Sequence, residues 1–278
     1  MMERDVVYST PLGFWSSAPV GKPGAVIRLI PKLLKKRPVE LKMDIYLPEG
    51  DTPTARPLLL MMHGGSFFVG HKDEKGQAGW CEYFASQGYV AASVDYRLGY
   101  RFTRKDVAAA EDRAVEDIDA ALKYLLGRND LHIDPDRIFA AGTSAGAILA
   151  LRLAFRPEGP RIRAIADCWG SVHDLDVLKQ ARTAIISFQS ASDPVMPYGK
   201  GYPFRTGKGL FQPPTQWFSQ VMYGTGAVHK RAVELGLRVE HHAFPETGHR
   251  LHMDKDGNYT ERFYEIRDRM AAFFAADC

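Results

Sequence analysis

The chain has 278 residues, 45% of them hydrophobic, with 25 glycines and 17 prolines. That is enough apolar material for a large core, and it excludes a disordered or collagen-like chain. Its 36 basic and 33 acidic side chains leave a net charge of +3, too balanced to point to a nucleic-acid partner. Three cysteines, Cys81, Cys168 and Cys278, lack zinc or redox spacing and exclude a disulfide scaffold.

No stretch reaches the roughly 20 apolar residues of a membrane span. Met1-Met2-Glu3-Arg4-Asp5 has no apolar run behind it, so no signal peptide is expected. The expected compartment is cytoplasmic as the sequence stands, or periplasmic or secreted if a leader was removed. Residues 9–38 mix Pro, Gly and aromatics with the basic run Lys32, Lys35, Lys36 and Arg37. They read as a solvated turn or edge hairpin.

From there strand-like and helix-like segments alternate. Residues 39–46 alternate apolar and polar, the pattern of a half-buried strand. Residues 57–62, 89–94, 137–141 and 162–168 are short apolar runs of the kind that forms strands buried on both faces. Runs 184–188 and 238–244 follow. Residues 111–126 carry Ala114, Ile118, Ala121, Leu122 and Leu125 near the 3.6-residue period of a helix, and residues 145–155 are apolar almost all round. Residues 227–235 and 259–275 also read as helices, and Gly127 and Gly236 sit just past two helix ends. The expected class is α/β: one domain over 1–278, with a mostly parallel central sheet and helices on both faces. Ligands of such sheets bind beyond the carboxyl ends of the strands. Residues 196–222, rich in Gly, Pro and aromatics, break the alternation and are expected to be an insertion at the substrate site.

Four stations follow predicted strands. His63-Gly64-Gly65-Ser66-Phe67 follows the run 57–62, and its double glycine lets backbone N–H groups turn outward, where they can receive an oxyanion. His63 is expected to pin its own loop rather than act as a base. Gly142-Thr143-Ser144-Ala145-Gly146 joins a buried strand to an apolar helix, the strand–turn–helix setting that a G-x-S-x-G motif needs. Ser144 then stands at a strand end, beside a helix N-terminus. Asp193, backed by Pro194, follows the run 184–188 and is the expected orienting acid; Asp167, Asp174 and Asp176 are its rivals. His249, preceded by Gly248, follows the run 238–244 and is the expected base, with His252 as its rival. The order Ser, Asp, His agrees with the triad order of this fold class. Adjacent strand residues face opposite sides, so His241 and His242 are not expected to share a metal. Thr206-Gly207-Lys208-Gly209 and Gly224-Thr225-Gly226-Ala227-Val228-His229 are incomplete as phosphate-loop and dinucleotide motifs, so no nucleotide is expected.

Over roughly residues 40–278 these stations resemble α/β-hydrolases of the carboxylesterase/lipase group, those with a His-Gly-Gly motif. The resemblance also rests on Ala92-Ser93-Val94-Asp95-Tyr96-Arg97-Leu98, Asp134-Pro135-Asp136-Arg137-Ile138 and Ser192-Asp193-Pro194-Val195. It implies a serine carboxylic-ester hydrolase with Ser144 as nucleophile, His249 as base and Asp193 as its partner. It further implies an oxyanion hole from the N–H groups of Ala145 and of Gly65 or Ser66, and no metal or organic cofactor. Ser66 stands where many relatives have a third glycine, and Ser190-Ala191-Ser192 stands where many have a Gly-Thr pair. The expected partner is a small-molecule or carbohydrate ester, with acetyl or feruloyl sugars ranked first and small lipid or aryl esters next. A peptidase, or a binding module without catalysis, are the rival classes. Phe67, Trp217 and Phe218 are the expected substrate contacts.

Overall fold

A computed structural model describes residues 1–13, 38–50, 55–99, 103–204 and 219–276. The basic run 32–37, the 206–209 motif, Trp217, Phe218 and Cys278 lie outside these residues. In chain order the elements are β1 (Met2–Ser9), β2 (Leu41–Tyr46), β3 (Arg56–Met62), α1 (Lys75–Ser86), β4 (Val90–Val94), α2 (Arg104–Leu126) and β5 (Ile133–Thr143). They continue with α3 (Ala145–Ala154), β6 (Ala164–Cys168), β7 (Ser171–Val172), β8 (Ala184–Ser190), β9 (Lys200–Gly201), β10 (Met222–Gly224), α4 (Thr225–Glu234), β11 (Val239–Phe244) and α5 (Glu261–Ala275).

Among the described residues eight strands form one sheet in the order β1-β2-β4-β3-β5-β6-β8-β11. β1 with β2, and β2 with β4, are antiparallel; every later pair is parallel. The continuous apolar runs are the inner strands, because a parallel sheet covered on both faces leaves no solvated side for polar residues. Alternate side chains of β3 go to opposite faces. Leu58, Leu60 and Met62 enter a core with Ala114, Ile118, Leu122 of α2 and Leu149 of α3. Leu59 and Met61 enter the other, with Trp80 and Phe84 of α1 and Phe274 of α5.

Besides the short strands β7, β9 and β10, two longer elements lack a counterpart among the segments expected above. β1 is an edge strand broken by register shifts, with Asp5 at φ +53 and three charged residues in a row, so it shows no clean alternation. α1 contains Gly76 and Gly79, which weaken a helical reading. Both are there for close packing: a Cβ on Gly79 would lie 2.4 Å from Tyr259 Oη, and one on Gly76 would lie 2.7 Å from His252 Cδ2. The two expected helix-end glycines also differ. Gly236 takes the left-handed φ of +69° after α4, whereas Gly127 stays right-handed at φ −79°.

Within the unusual segment 196–222, residues 196–204 and 219–222 are described, including β9 and the first residue of β10. With β7 they form a three-stranded antiparallel sheet, order β7-β10-β9. No helix among the described residues is long and apolar enough to cross a membrane. The loops after β3, β5, β8 and β11 all leave the carboxyl ends of strands in the parallel part of the sheet, with β6 between β5 and β8, which is where the sheet collects its functional side chains.

Candidate active site

Ser144 sits between β5 and α3 at φ +54°, ψ −116°. A non-glycine residue reaches this region only when its surroundings force it there. The forcing comes from two glycines. A Cβ on Gly146 would lie 2.1 Å from Met62 O, and one on Gly142 would lie 2.3 Å from the backbone of Gly146. The elbow therefore closes only with hydrogen at both positions. Ser144 N–H donates to Cys168 O (2.9 Å), tying the turn to β6.

His249 and Asp193 meet this serine. His249 Nε2 lies 2.9 Å from Ser144 Oγ, and His249 Nδ1 lies 2.8 Å and 3.1 Å from the two Asp193 oxygens. The carboxylate is itself fixed. Val195 N–H and Met196 N–H donate to Oδ1 (2.7 and 3.1 Å), and Gln189 Nε2 donates to Oδ2 (3.3 Å). Because Asp193 has its backbone donors behind it, it faces the imidazole with the second oxygen. An acceptor there selects the tautomer with hydrogen on Nδ1, leaving the Nε2 lone pair toward the hydroxyl.

The loop after β3 is the other half of the site. Gly65, Ser66 and Phe67 all have positive φ (+111°, +55° and +58°). The turn bonds inward through Gly65 O, which accepts from Phe68 N–H and Val69 N–H (both 3.0 Å). The N–H groups of Gly65, Ser66 and Ala145 meet no backbone acceptor among the described residues. His63 pins this loop: Nδ1–H donates to Gly64 O (2.7 Å), the ring stacks on Tyr96 at 4.2 Å, and Tyr96 Oη donates to His63 O (2.6 Å). Burial lowers His63 to about 4. Asp95, 4.0 Å away, is pushed up to about 7 by burial, which outweighs the Lys72 N–H and the Lys72 charge. Burial drives both groups toward neutrality, so their contact is not an ion pair at neutral pH.

The rival histidine is excluded from the surface. His252 is buried between Trp80 and Trp169 (5.3 and 5.0 Å between ring centroids), not exposed or at a helix cap. Burial, with smaller effects from Arg250 and His249, lowers it to about 3. Of the rival carboxylates, Asp174 caps the short helical turn after it through Asp176 N–H (2.9 Å). Asp167 is fully buried, accepts from Gly170 N–H (2.7 Å), and is raised to about 7 by burial.

A pocket opens at Ser144. Phe67, Ile148, Met196, Phe204 and Met222 make its walls, with Ser66 and Ala145 beside the hydroxyl. Phe67 is thus one of the expected contacts at the site; Trp217 and Phe218 fall outside the described residues. Three site residues went unread in the sequence. Gln189 orients Asp193 while its Oε1 accepts from Thr225 Oγ (2.7 Å); its signal is a polar residue ending an apolar strand. Trp169 packs edge-on against His249 at 6.2 Å and carries no sequence signal of its own. Glu111 lines the pocket at 2% exposure; its signal is a carboxylate on the apolar stripe of α2, one turn before Ala114. Among the described residues no group of three or more His, Cys, Asp or Glu is placed to hold a metal ion.

The family profile described as BD-FAE matches residues 43–163, less than half of the chain. Gut esterase 1 of Caenorhabditis elegans is 31% identical over 104 residues, covering 36% of this chain and 18% of that protein. The non-reducing polyketide synthase ascC of Acremonium egyptiacum is 28% identical over 121 residues, covering 42% of this chain and 6% of that protein. The chain therefore spans less than a fifth of the length of either relative. Among solved structures, Thermogutta terrifontis esterase 2 phosphorylated by paraoxon superposes with a TM-score of 0.63 at 19% identity, over 86% of this chain and 89% of that one. The propionate-bound form of the same esterase gives 0.61 at 20% identity, over 86% and 90%. The chain has the α/β-hydrolase fold, and the proteins it resembles include esterases of that fold.

Proposed function

We propose that this α/β-hydrolase is a serine carboxylic-ester hydrolase. The observation that carries the reading is the hydrogen-bonded line Asp193–His249–Ser144, with 2.8 Å and 2.9 Å links, ending on a strained elbow at the mouth of a pocket. His249 Nε2 removes the hydroxyl proton as Ser144 Oγ bonds to the ester carbonyl carbon. The carbonyl π electrons move onto oxygen, and this oxyanion is received by the N–H groups of Ala145 and of Gly65 or Ser66. When the tetrahedral intermediate collapses, the C–O bond to the alcohol breaks and His249 returns the proton to that oxygen. Water then repeats the sequence on the acyl-enzyme, His249 taking its proton, and the acid leaves. Asp193 keeps the imidazole in the required tautomer and stabilises its charge.

For substrate, esters of decorated carbohydrates (acetyl or feruloyl) stand first and small lipid or aryl esters second. The first rests on the resemblance of the motifs, the second on the apolar walls around Ser144. A chromogenic ester panel of rising acyl length, with acetylated and feruloylated sugars added, tests both. Turnover by the native chain and its near-complete loss in Ser144→Ala are the expected results. The likeness to an esterase phosphorylated by paraoxon adds a second expectation: one phosphoryl adduct, on Ser144, by mass spectrometry. Unchanged turnover in Ser144→Ala, or an adduct elsewhere with none on Ser144, sinks the assignment.

A further inference from the structure

Among the described residues Glu111 is the one charged side chain that lines the pocket at Ser144; its neighbours there from α2 and α3 are Val107, Ala145 and Ile148. Burying a carboxylate in an apolar wall is costly unless it is paired. Glu111 stands between this pocket and a second one, and its partners line only the second. His173 Nε2 lies 2.9 Å and 3.1 Å from its two oxygens, and Arg152 Nη1 stands at 3.6 Å. Burial disfavours the charged imidazole of His173, but the hydrogen bond and charge of Glu111 outweigh this and raise its pKa. A carboxylate offers about four acceptor positions, and a single N–H shared between both oxygens leaves some of them open. No other hydrogen bond reaches these oxygens among the described residues.

We propose that Glu111 is a specificity-determining residue whose carboxylate accepts a hydrogen bond from an uncharged donor, a hydroxyl, on the part of the substrate that enters this pocket. The inference rests on the ester-hydrolase reading of Ser144. The donor is neutral because Arg152 already stands against the carboxylate as its counter-charge, so the open acceptor position calls for a hydrogen bond rather than a second cation. An alkyl chain of the same length would cover the carboxylate and offer it nothing. Sites built to bond a substrate hydroxyl discriminate strongly against its absence for this reason.

The test uses two ester pairs that differ by one hydroxyl. One carries it on the acyl chain (4-nitrophenyl butanoate and 3-hydroxybutanoate), the other on the alcohol (butyl and 4-hydroxybutyl acetate). In at least one pair the hydroxylated ester has the higher kcat/KM, by roughly tenfold. That ratio falls toward one in Glu111→Leu and is intermediate in Glu111→Gln, which keeps a weaker acceptor. It is unmoved in Asp112→Asn, which touches the same Arg152 from solvent. Because the readout is a ratio, loss of folded protein cancels. Ratios near one in both pairs for the native chain, or a full preference in Glu111→Leu, overturn the proposal. If no ester turns over, the reading of Ser144 fails separately. The same pairs are then titrated into Ser144→Ala by ligand-observed NMR, where tighter binding of a hydroxylated member supports the role of Glu111 and equal binding overturns it.

Discussion

At the scale of single residues, the site is a set of hydrogen bonds each of which fixes the next. Val195 N–H and Met196 N–H hold one oxygen of Asp193 and Gln189 steadies the other, which is thereby aimed at His249 Nδ1. Asp193→Asn keeps an oxygen for the two backbone donors but can present an amide N–H to the imidazole. That favours the tautomer with hydrogen on Nε2, the wrong side for accepting the serine proton. The expected outcome is a fall in kcat of roughly 10⁴-fold with KM changed little, by analogy with the same substitution in triads at large. A loss under tenfold would remove Asp193 from the mechanism. The convergence of Ser144, Asp193 and His249 was legible because each follows an apolar run and is flanked by a glycine or proline that sharpens the turn. Gln189, Trp169 and Glu111 were not, because their roles come from tertiary neighbours on other elements.

At the scale of elements, the inner strands were legible and α1 was not. Continuous apolar runs have few alternatives once flanked by turns, whereas Gly76 and Gly79 argue locally against a helix. The helix exists because Trp80, Cys81 and Phe84 bury themselves on the sheet and the glycines let α5 and the His252 loop come close. This reverses the usual expectation for glycine in a helix. An exposed Gly→Ala there would gain about 1 kcal/mol. Gly79→Ala instead puts a methyl 2.4 Å from Tyr259 Oη. That tyrosine cannot swing aside freely: it donates to Lys75 O (2.9 Å) and stacks on Phe263 at 3.9 Å. Gly79→Ala is therefore expected to destabilise by about 1–3 kcal/mol, measured as a lower urea midpoint at unchanged slope. A raised midpoint would show that the α1–α5 contact has slack.

At the scale of the whole molecule, the parallel sheet with both faces covered buries titratable groups as well as apolar ones, and burial pushes them toward neutrality in opposite directions. His63, His241 and His252 fall to about 4, 4 and 3, while Asp95 and Asp167 rise to about 7. A histidine kept neutral takes up a proton more readily unfolded than folded. Its contribution to stability is present above its ordinary pKa of 6.5 and is lost as pH falls toward the folded value. A buried carboxyl kept protonated behaves in the reverse sense. It binds its proton in the folded state up to about pH 7 but unfolded only to 3.8, so its contribution is full below 3.8 and is lost as pH rises to 7. Asp167 isolates the second effect, since burial dominates its shift and Gly170 N–H is the one opposing influence. Asp167→Asn preserves an acceptor for Gly170 N–H and cannot ionise. Relative to the native chain, its unfolding free energy is expected to improve by roughly 1 kcal/mol per pH unit between about pH 4 and 7, then level off. Denaturant unfolding of both proteins at half-unit pH steps reads that difference directly. A difference that stays flat across the window would mean that Asp167 is ionised in the folded protein, with a compensating charge close to its second oxygen.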